Sequence, residues 1–123
     1  MGRRDLVKRG RRGEAWAAIA LRAAGYRILD RRWQIHGGEI DIIAQDEDGF
    51  AFVEVKTRQG RAFGYPEEAV NNRKLARLHR TAEQWLAKKV GNRSVNWRID
   101  VVAVEMGRTQ VPWRITIFRY FEL

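Results

Sequence analysis

The sequence predicts an α/β fold in which two helices and five strands follow one another in the order α-β-β-β-α-β-β. Three patterns support this prediction. Polar and apolar side chains alternate with the period of two that is typical of strands in both halves of residues 37–58. Apolar residues recur at helical spacing in residues 13–24 and 66–89. Two apolar segments between residues 97 and 121 are also typical of strands, and no repeat divides the chain.

The composition favours a protein that binds a polyanion. The chain has 123 residues, the length of one domain, and 45% of them are hydrophobic, enough for a core. A net charge of +9 is typical of proteins that contact nucleic acid or an acidic membrane surface. The lack of cysteine excludes disulfides, cysteine–zinc sites and thiol catalysis. No apolar run is long enough to cross a bilayer, so we expect no membrane insertion. The arginine-rich start and the apolar residues 15–21 faintly resemble a signal peptide, but Glu14 and Arg22 bound this run, which favours an amphipathic helix and a cytoplasmic protein.

Residues 1–12 form a basic segment ahead of the predicted single domain, residues 13–123. This segment carries one acid, Asp5, against six basic residues, which are Arg3, Arg4, Lys8, Arg9, Arg11 and Arg12. One interpretation is a solvated, partly disordered tail. The other is an arm that contacts phosphates and whose binding weakens steeply with salt.

The first predicted helix covers residues 13–24 and ends at Gly25, because glycine readily takes the left-handed conformation of a helix end. A strand then begins at Tyr26 and extends towards Gln34. Gly37-Gly38 turns the chain into a hairpin that occupies the centre of the sequence.

The register of this hairpin, residues 37–58, decides which side chains meet. If residues 46–49 form a four-residue loop, the ladder sets Asp41 opposite Glu54. If the loop is instead a two-residue turn at Asp48-Gly49, Asp41 lies opposite Lys56. In both registers the carboxylates and the lysine share one face, because side chains alternate along a strand.

The second predicted helix covers residues 66–89, because Pro66 suits a first helical turn and an apolar stripe follows it. Its outer face carries a row of arginines, which are Arg73, Arg77 and Arg80. Strands at residues 97–104 and 113–121 complete the fold. Asp100 interrupts the first of them, and pairing with an arginine is one explanation for a carboxylate in so apolar a segment.

Asp41 and Glu54 form the pattern that points to chemistry. Two carboxylates that face each other across a ladder destabilise it unless something neutralises them. A divalent cation would do so, since Mg²⁺ and Mn²⁺ prefer oxygen ligands, and Lys56 would then lie beside the ion's bound water. The alternative is a solvated sheet face on which Glu39 pairs with Lys56 or with Arg58.

The residues around this pair also resemble a known pattern. Gly38-Glu39-Ile40-Asp41, followed by Phe52-Val53-Glu54-Val55-Lys56, resembles the PD-(D/E)-x-K nuclease motif in its Asp…Glu-x-Lys form. The wider pattern is similar to the YraN family of bacterial proteins, which resemble archaeal Holliday-junction resolvases. The other matching pieces are Gly13-Glu14, Gly25-Tyr26, Lys56-Thr57-Arg58, Phe63-Gly64, residues 67–70, Lys74 and residues 98–102.

This resemblance implies a restriction-endonuclease-like fold, a mixed sheet of about five strands flanked by helices. It implies that Asp41 and Glu54 hold Mg²⁺ or Mn²⁺ together with the Val55 carbonyl. Lys56 would assist the attacking water, and Glu14 would lie near the metal. The implied activity is metal-dependent hydrolysis of phosphodiester bonds in DNA, including branched DNA, by an enzyme that works as a homodimer.

Basic residues outside the motif are the predicted contacts to nucleic acid, namely Arg9, Arg11, Arg12, Arg58, Arg73 and Arg77. A rival hypothesis uses the same residues. In it the chain keeps the nuclease-like fold and binds nucleic acid without cleaving it. A third hypothesis is a scaffold whose basic surface docks on a partner protein.

Overall fold

The computed structural model describes residues 3–60 and 64–122, with side chains from residue 11 onward. The elements occur in the predicted order α-β-β-β-α-β-β. They are α1 (Arg3–Ala23), β1 (Arg27–Ile35), β2 (Gly38–Asp46), β3 (Gly49–Gln59), α2 (Asn72–Lys89), β4 (Trp97–Met106) and β5 (Pro112–Phe118), with a short 3-10 helix at Pro66–Ala69 before α2.

The strands form one mixed sheet in the order β1-β2-β3-β4-β5. Neighbouring strands are antiparallel except β3 and β4, which are parallel. A parallel pair requires a long crossover, and the segment that contains α2 supplies it. The predicted α/β class and the mixed five-stranded sheet are therefore confirmed.

Each face of the sheet is covered by one helix. Ala17 and Leu21 of α1 pack on one face, in a cluster with Ile42, Val53 and Val102. On the other face α2 contributes a second cluster, whose main members are Leu78, Trp85, Ile43, Phe52 and Ile99. Strand β4 is buried on both faces, which explains why its sequence is almost continuously apolar.

Both helices differ from their predicted bounds. Helix α1 begins at Arg3 rather than Gly13, so residues 3–12 of the predicted basic arm continue the helix. Gly13 does not start the helix; it is needed inside it, because a Cβ there would overlap Thr57 of β3. The predicted second helix was wrong in being continuous. The helix is interrupted at Val70, which is buried and extended. Helix α2 then begins after its N-cap residue Asn71, whose side chain accepts a hydrogen bond of 2.9 Å from the Lys74 N–H.

The strand ends differ from prediction in smaller ways. Strand β1 runs one residue past the predicted Gln34, and β4 runs two residues past Val104. Strand β5 ends at Phe118 rather than Phe121. The hairpin between β2 and β3 pairs Gln45 with Phe50, as in the first of the two predicted registers. Both predicted loops were wrong, because Asp46 also pairs with Gly49 and the turn consists of Glu47 and Asp48.

A buried ionic network ties the sheet together at the end where β3 and β4 begin. The Arg98 Nε donates to Asp100 Oδ1 at 3.0 Å, and its Nη2 donates to Asp46 Oδ2 at 2.7 Å. The Tyr26 hydroxyl donates to Asp100 Oδ2 at 2.7 Å. The Asp100 side chain is 0% exposed and the Arg98 side chain 3% exposed. Asp100 thus pairs with an arginine, as one sequence-based explanation required.

We expect the substitution Arg98→Met to lower the free energy of unfolding by about 3–5 kcal/mol, because it leaves the buried Asp100 carboxylate without its cation. Arg119→Met is the matched control. Arg119 also pairs with Asp46, but its side chain is 44% exposed, so we expect a loss of about 1 kcal/mol or less. Urea unfolding measures both, and equal losses would show that burial does not set the strength of this network.

Candidate active site

The sheet opens into a fork between β2 and β3. These strands pair from Asp46–Gly49 as far as Ile42–Val53, where their ladder ends. Beyond that point β2 stays paired with β1 as far as Gly38, while β3 stays paired with β4 as far as Gln59. The two strands therefore separate next to Asp41 and Glu54.

Asp41 fills the base of the fork. Its Oδ2 accepts a hydrogen bond of 2.7 Å from the Val55 N–H, so a side chain replaces the main-chain partner that β2 would otherwise offer. In a strand, the N–H and C=O of one residue face the same neighbour. The Val55 carbonyl therefore faces the fork as well, on the side where Asp41 lies.

Glu54 lies on the α2 side of the fork and is 7% exposed. Its Oε1 is 3.4 Å from the Lys56 Nζ and 3.5 Å from the Lys74 Nζ. Lys56 was predicted at this site from the spacing along β3. Lys74 was not, although it was among the residues that carry the family resemblance, because no strand or helix period links it to the hairpin.

One cleft of about 600 Å³ opens between β2 and α2 and is lined by both carboxylates. Glu39, Lys74 and Arg77 line the same cleft. The structure thus brings together Asp41 and Glu54, the two acids on which the sequence-based site depends. Glu39 and Arg77 lie at its wall, where they set the charge that an entering ligand meets.

The pKa values reflect how closely these charges are packed. Burial, followed by the negative charge of Glu54, raises the pKa of Asp41 to about 7, and Glu39 and Glu14 add to the effect. Burial, followed by the neighbouring Lys74, lowers the pKa of Lys56. Near neutral pH the Asp41 carboxyl is therefore poised between its charged and neutral forms.

Glu14 approaches the fork from α1 and is 6% exposed. Its two oxygens accept from the Nε atoms of Arg31 and Arg32, at 3.2 and 3.1 Å. Arg32 has a positive φ of 51°, which is uncommon for a residue other than glycine. Glu14 is close enough to influence Asp41, yet both of its oxygens already have arginine partners that the sequence did not predict.

The donor set fits a hard divalent cation. Two carboxylates and a main-chain carbonyl converge on the fork, and Mg²⁺ commonly takes one or two carboxylates and completes its shell with water and phosphate. Among the described side chains, those of residues 11–60 and 64–122, no group of three or more His, Cys, Asp or Glu is placed to hold a metal. Glu14 and Glu39 therefore do not extend the pair into a larger carboxylate cage.

The predicted nucleic-acid contacts are spread over two helices and one strand. Arg11 and Arg12 are exposed on α1, and Arg73 and Arg77 are exposed on α2. Arg58 is half-buried on β3. The side chain of Arg9 lies outside the described residues.

In the part of the chain that the structure describes, no helix is long and apolar enough to cross a membrane.

The fold and the cleft define a mixed α/β domain with paired carboxylates and lysines at a fork in its sheet. Residues 13–104 match the uncharacterised protein family UPF0102, and the chain belongs to this family. The expected membership of an uncharacterised bacterial family is thereby confirmed.

Several members of the family are similar over most of their length. A UPF0102 protein of Arthrobacter sp. (strain FB24) is 50% identical over 104 residues, which cover 85% of this chain and 86% of the relative. One of Symbiobacterium thermophilum is 50% identical over 98 residues, or 80% and 82% of the two chains. One of Clostridium botulinum is 37% identical over 107 residues, or 87% of each.

The raised pKa of Asp41 has a consequence for stability. Between about pH 4 and pH 7 the native state keeps a proton that the unfolded state has lost, so stability falls as the pH rises through this window. Asp41→Asn carries no titrating group. We expect it to remove this decline and to be more stable than the natural protein at pH 8, by on the order of 2 kcal/mol.

Urea unfolding at several pH values measures this difference. Glu47→Gln is the control, since it removes an exposed acid in the turn between β2 and β3, away from Asp41, and leaves Asp41 to titrate as in the natural protein. A decline of the same steepness in Asp41→Asn and the natural protein would assign the pH dependence to other groups.

Proposed function

We propose that this protein is a metal-dependent nuclease that hydrolyses phosphodiester bonds in DNA. The observation that carries the proposal is that Asp41 and Glu54, from two strands that part at this point, open on one cleft. Sheets avoid facing carboxylates, so a pair kept together at a fork favours a site built for a cation.

Asp41, Glu54 and the Val55 carbonyl would hold Mg²⁺ or Mn²⁺. When bound, such an ion polarises the phosphate and lowers the pKa of its bound water. The Val55 N–H fixes the Asp41 carboxylate in the fork. Lys56, held 3.4 Å from Glu54, would orient the attacking water and offset the charge on the phosphate.

The reaction is a displacement at phosphorus. The oxygen of the water forms a new bond to phosphorus while the bond to the leaving sugar oxygen breaks. The water gives up a proton, and the leaving oxygen takes one up. Glu14, which influences Asp41 from the first helix, would act beside this site through its arginine partners rather than as a bare carboxylate.

The net charge of +9 and the exposed arginines of both helices support a polyanionic substrate. The likeness to resolvases extends the proposal to branched DNA and to a homodimer, since a symmetrical cut in two strands needs two copies of the site. One observation favours the rival function, binding without cleavage. Two lysine ammonium groups already neutralise Glu54, as they would in a site that no longer takes a metal.

Cleavage assays separate the two functions. We expect the protein to cut labelled DNA in Mg²⁺ or Mn²⁺, with no cutting in a chelator. Asp41→Asn and Lys56→Ala should each lower the rate by about 100-fold or more, because each removes a group that acts on the developing charge. Branched, single-stranded and duplex substrates run side by side would reveal the preferred structure.

Glu47→Gln is the matched control for this assay. Glu47 is an exposed acid in the turn between β2 and β3, at the far end of β2 from Asp41. Its substitution should leave the rate unchanged. Cleavage that persists in Asp41→Asn would refute the assigned site, and binding without cleavage in every condition would establish the rival function.

Binding itself should depend on salt through the exposed arginines. The affinity for duplex DNA falls with salt, with a slope of about 0.9 for each phosphate contact on a log–log plot. We expect Arg12→Gln and Arg77→Gln each to reduce the slope by about one contact. Arg22→Gln, an exposed arginine in the last turn of α1, should leave the slope as it is. Fluorescence anisotropy over a salt series measures the three, and identical slopes would exclude the two helix faces as the contact surface.

A further inference from the structure

Lys74 has a place in the cleft that the sequence motif does not include. Its N–H is capped by Asn71, which fixes the main chain at the start of α2. Its side chain reaches towards β3 and places Nζ 3.5 Å from Glu54 Oε1. Lys74 also lines the cleft together with Asp41 and Glu54. It is therefore a second lysine on the carboxylate that would hold a metal.

Helix stability does not explain a lysine at this position. The positive end of the helix dipole disfavours cations in the first turn, and the first turn of α2 contains no acidic residue to offset them. The anion that compensates Lys74 lies instead on another element, at Glu54. The contact to β3 is the feature that makes a lysine suitable here.

The two lysines on Glu54 are not equivalent. Lys56 belongs to the same strand as Glu54, and its side chain is 19% exposed, whereas the Lys74 side chain is 33% exposed and is anchored on a different element. Both approach the same oxygen, Oε1. A divalent cation bound at Glu54 would repel both ammonium groups, and Lys74 has the freer path into the cleft.

We propose that Lys74 is a displaceable counter-ion of Glu54. A divalent cation replaces the Lys74 ammonium group at Glu54, and the displaced ammonium group then contacts the phosphodiester in the cleft. The second half of this inference rests on the proposed nuclease function. The first half concerns only the exchange of one cation for another on Glu54. Because both lysines stay in the cleft, their two charges and that of the divalent cation exceed the negative charge of the two carboxylates. The net positive charge would stabilise the extra negative charge that a phosphate gains under attack.

Metal binding tests the exchange without any substrate. Calorimetric titration with Mn²⁺ should show that Lys74→Gln binds the ion about two- to fivefold more tightly than the natural protein, because the competing ion pair has been removed. Lys74→Arg, which keeps the charge, should bind it about as the natural protein does. Asp41→Asn identifies the binding that belongs to this site.

Lys88→Gln is the matched control, since Lys88 is an exposed lysine in the last turn of the same helix. Its Mn²⁺ affinity should equal that of the natural protein. Thermal unfolding confirms that each variant is folded. If Lys74→Gln and Lys88→Gln bind Mn²⁺ equally, the exchange is refuted.

Cleavage kinetics test the second half. Lys74→Gln should lower kcat by about 10- to 100-fold at saturating metal, and Lys74→Arg should recover part of the loss. Tighter Mn²⁺ binding by Lys74→Gln, with no cleavage by the natural protein, would support the exchange and reject the nuclease function. Normal cleavage with equal Mn²⁺ affinities would keep the nuclease function and reject the role of Lys74.

Discussion

The hydrogen bond from the Val55 N–H to the Asp41 carboxylate is the interaction on which the rest of the site depends. It ends the β2–β3 ladder by giving a strand N–H a side-chain partner, so that no buried donor is left unpaired where the strands separate. Had the ladder continued in the same register, Asp41 and Glu54 would have faced each other within a closed sheet. The separation instead gives both carboxylates access to a cleft.

Close helix packing on both faces holds the fork in place. Helix α1 packs so closely on β3 that a Cβ at Gly13, the residue before Glu14, would overlap Thr57. Helix α2 approaches the start of β2 in the same way, because a Cβ at Gly38 would overlap Thr81. A closely packed glycine on each face thus accompanies the approach of Glu14 towards Asp41 and the contact of Lys74 with Glu54.

Local periodicity predicted part of the site. Alternation along two strands predicts Asp41, Glu54 and Lys56 on one face; the hairpin adopts one of the two predicted registers, and Asp41 and Glu54 line one cleft. Contacts between elements that are distant in the chain could not be predicted from the sequence. Nothing in the spacing links Lys74 to Glu54, or Arg31 to Glu14. The helix break at Val70 was missed because a buried extended residue and a helical one look alike in an apolar pattern.

The state of Asp41 near pH 7 also links the cleft to the proton concentration of its surroundings. In the proposed metal site, a carboxyl with a pKa of about 7 would have to lose its proton before it could coordinate a cation, so ion uptake at neutral pH would be accompanied by proton release. The measured heat of ion binding would then vary with the ionisation enthalpy of the buffer. Below neutrality, occupancy of the site would decline with each increment of acidity, and the fork would act as a coupled proton and metal binding unit.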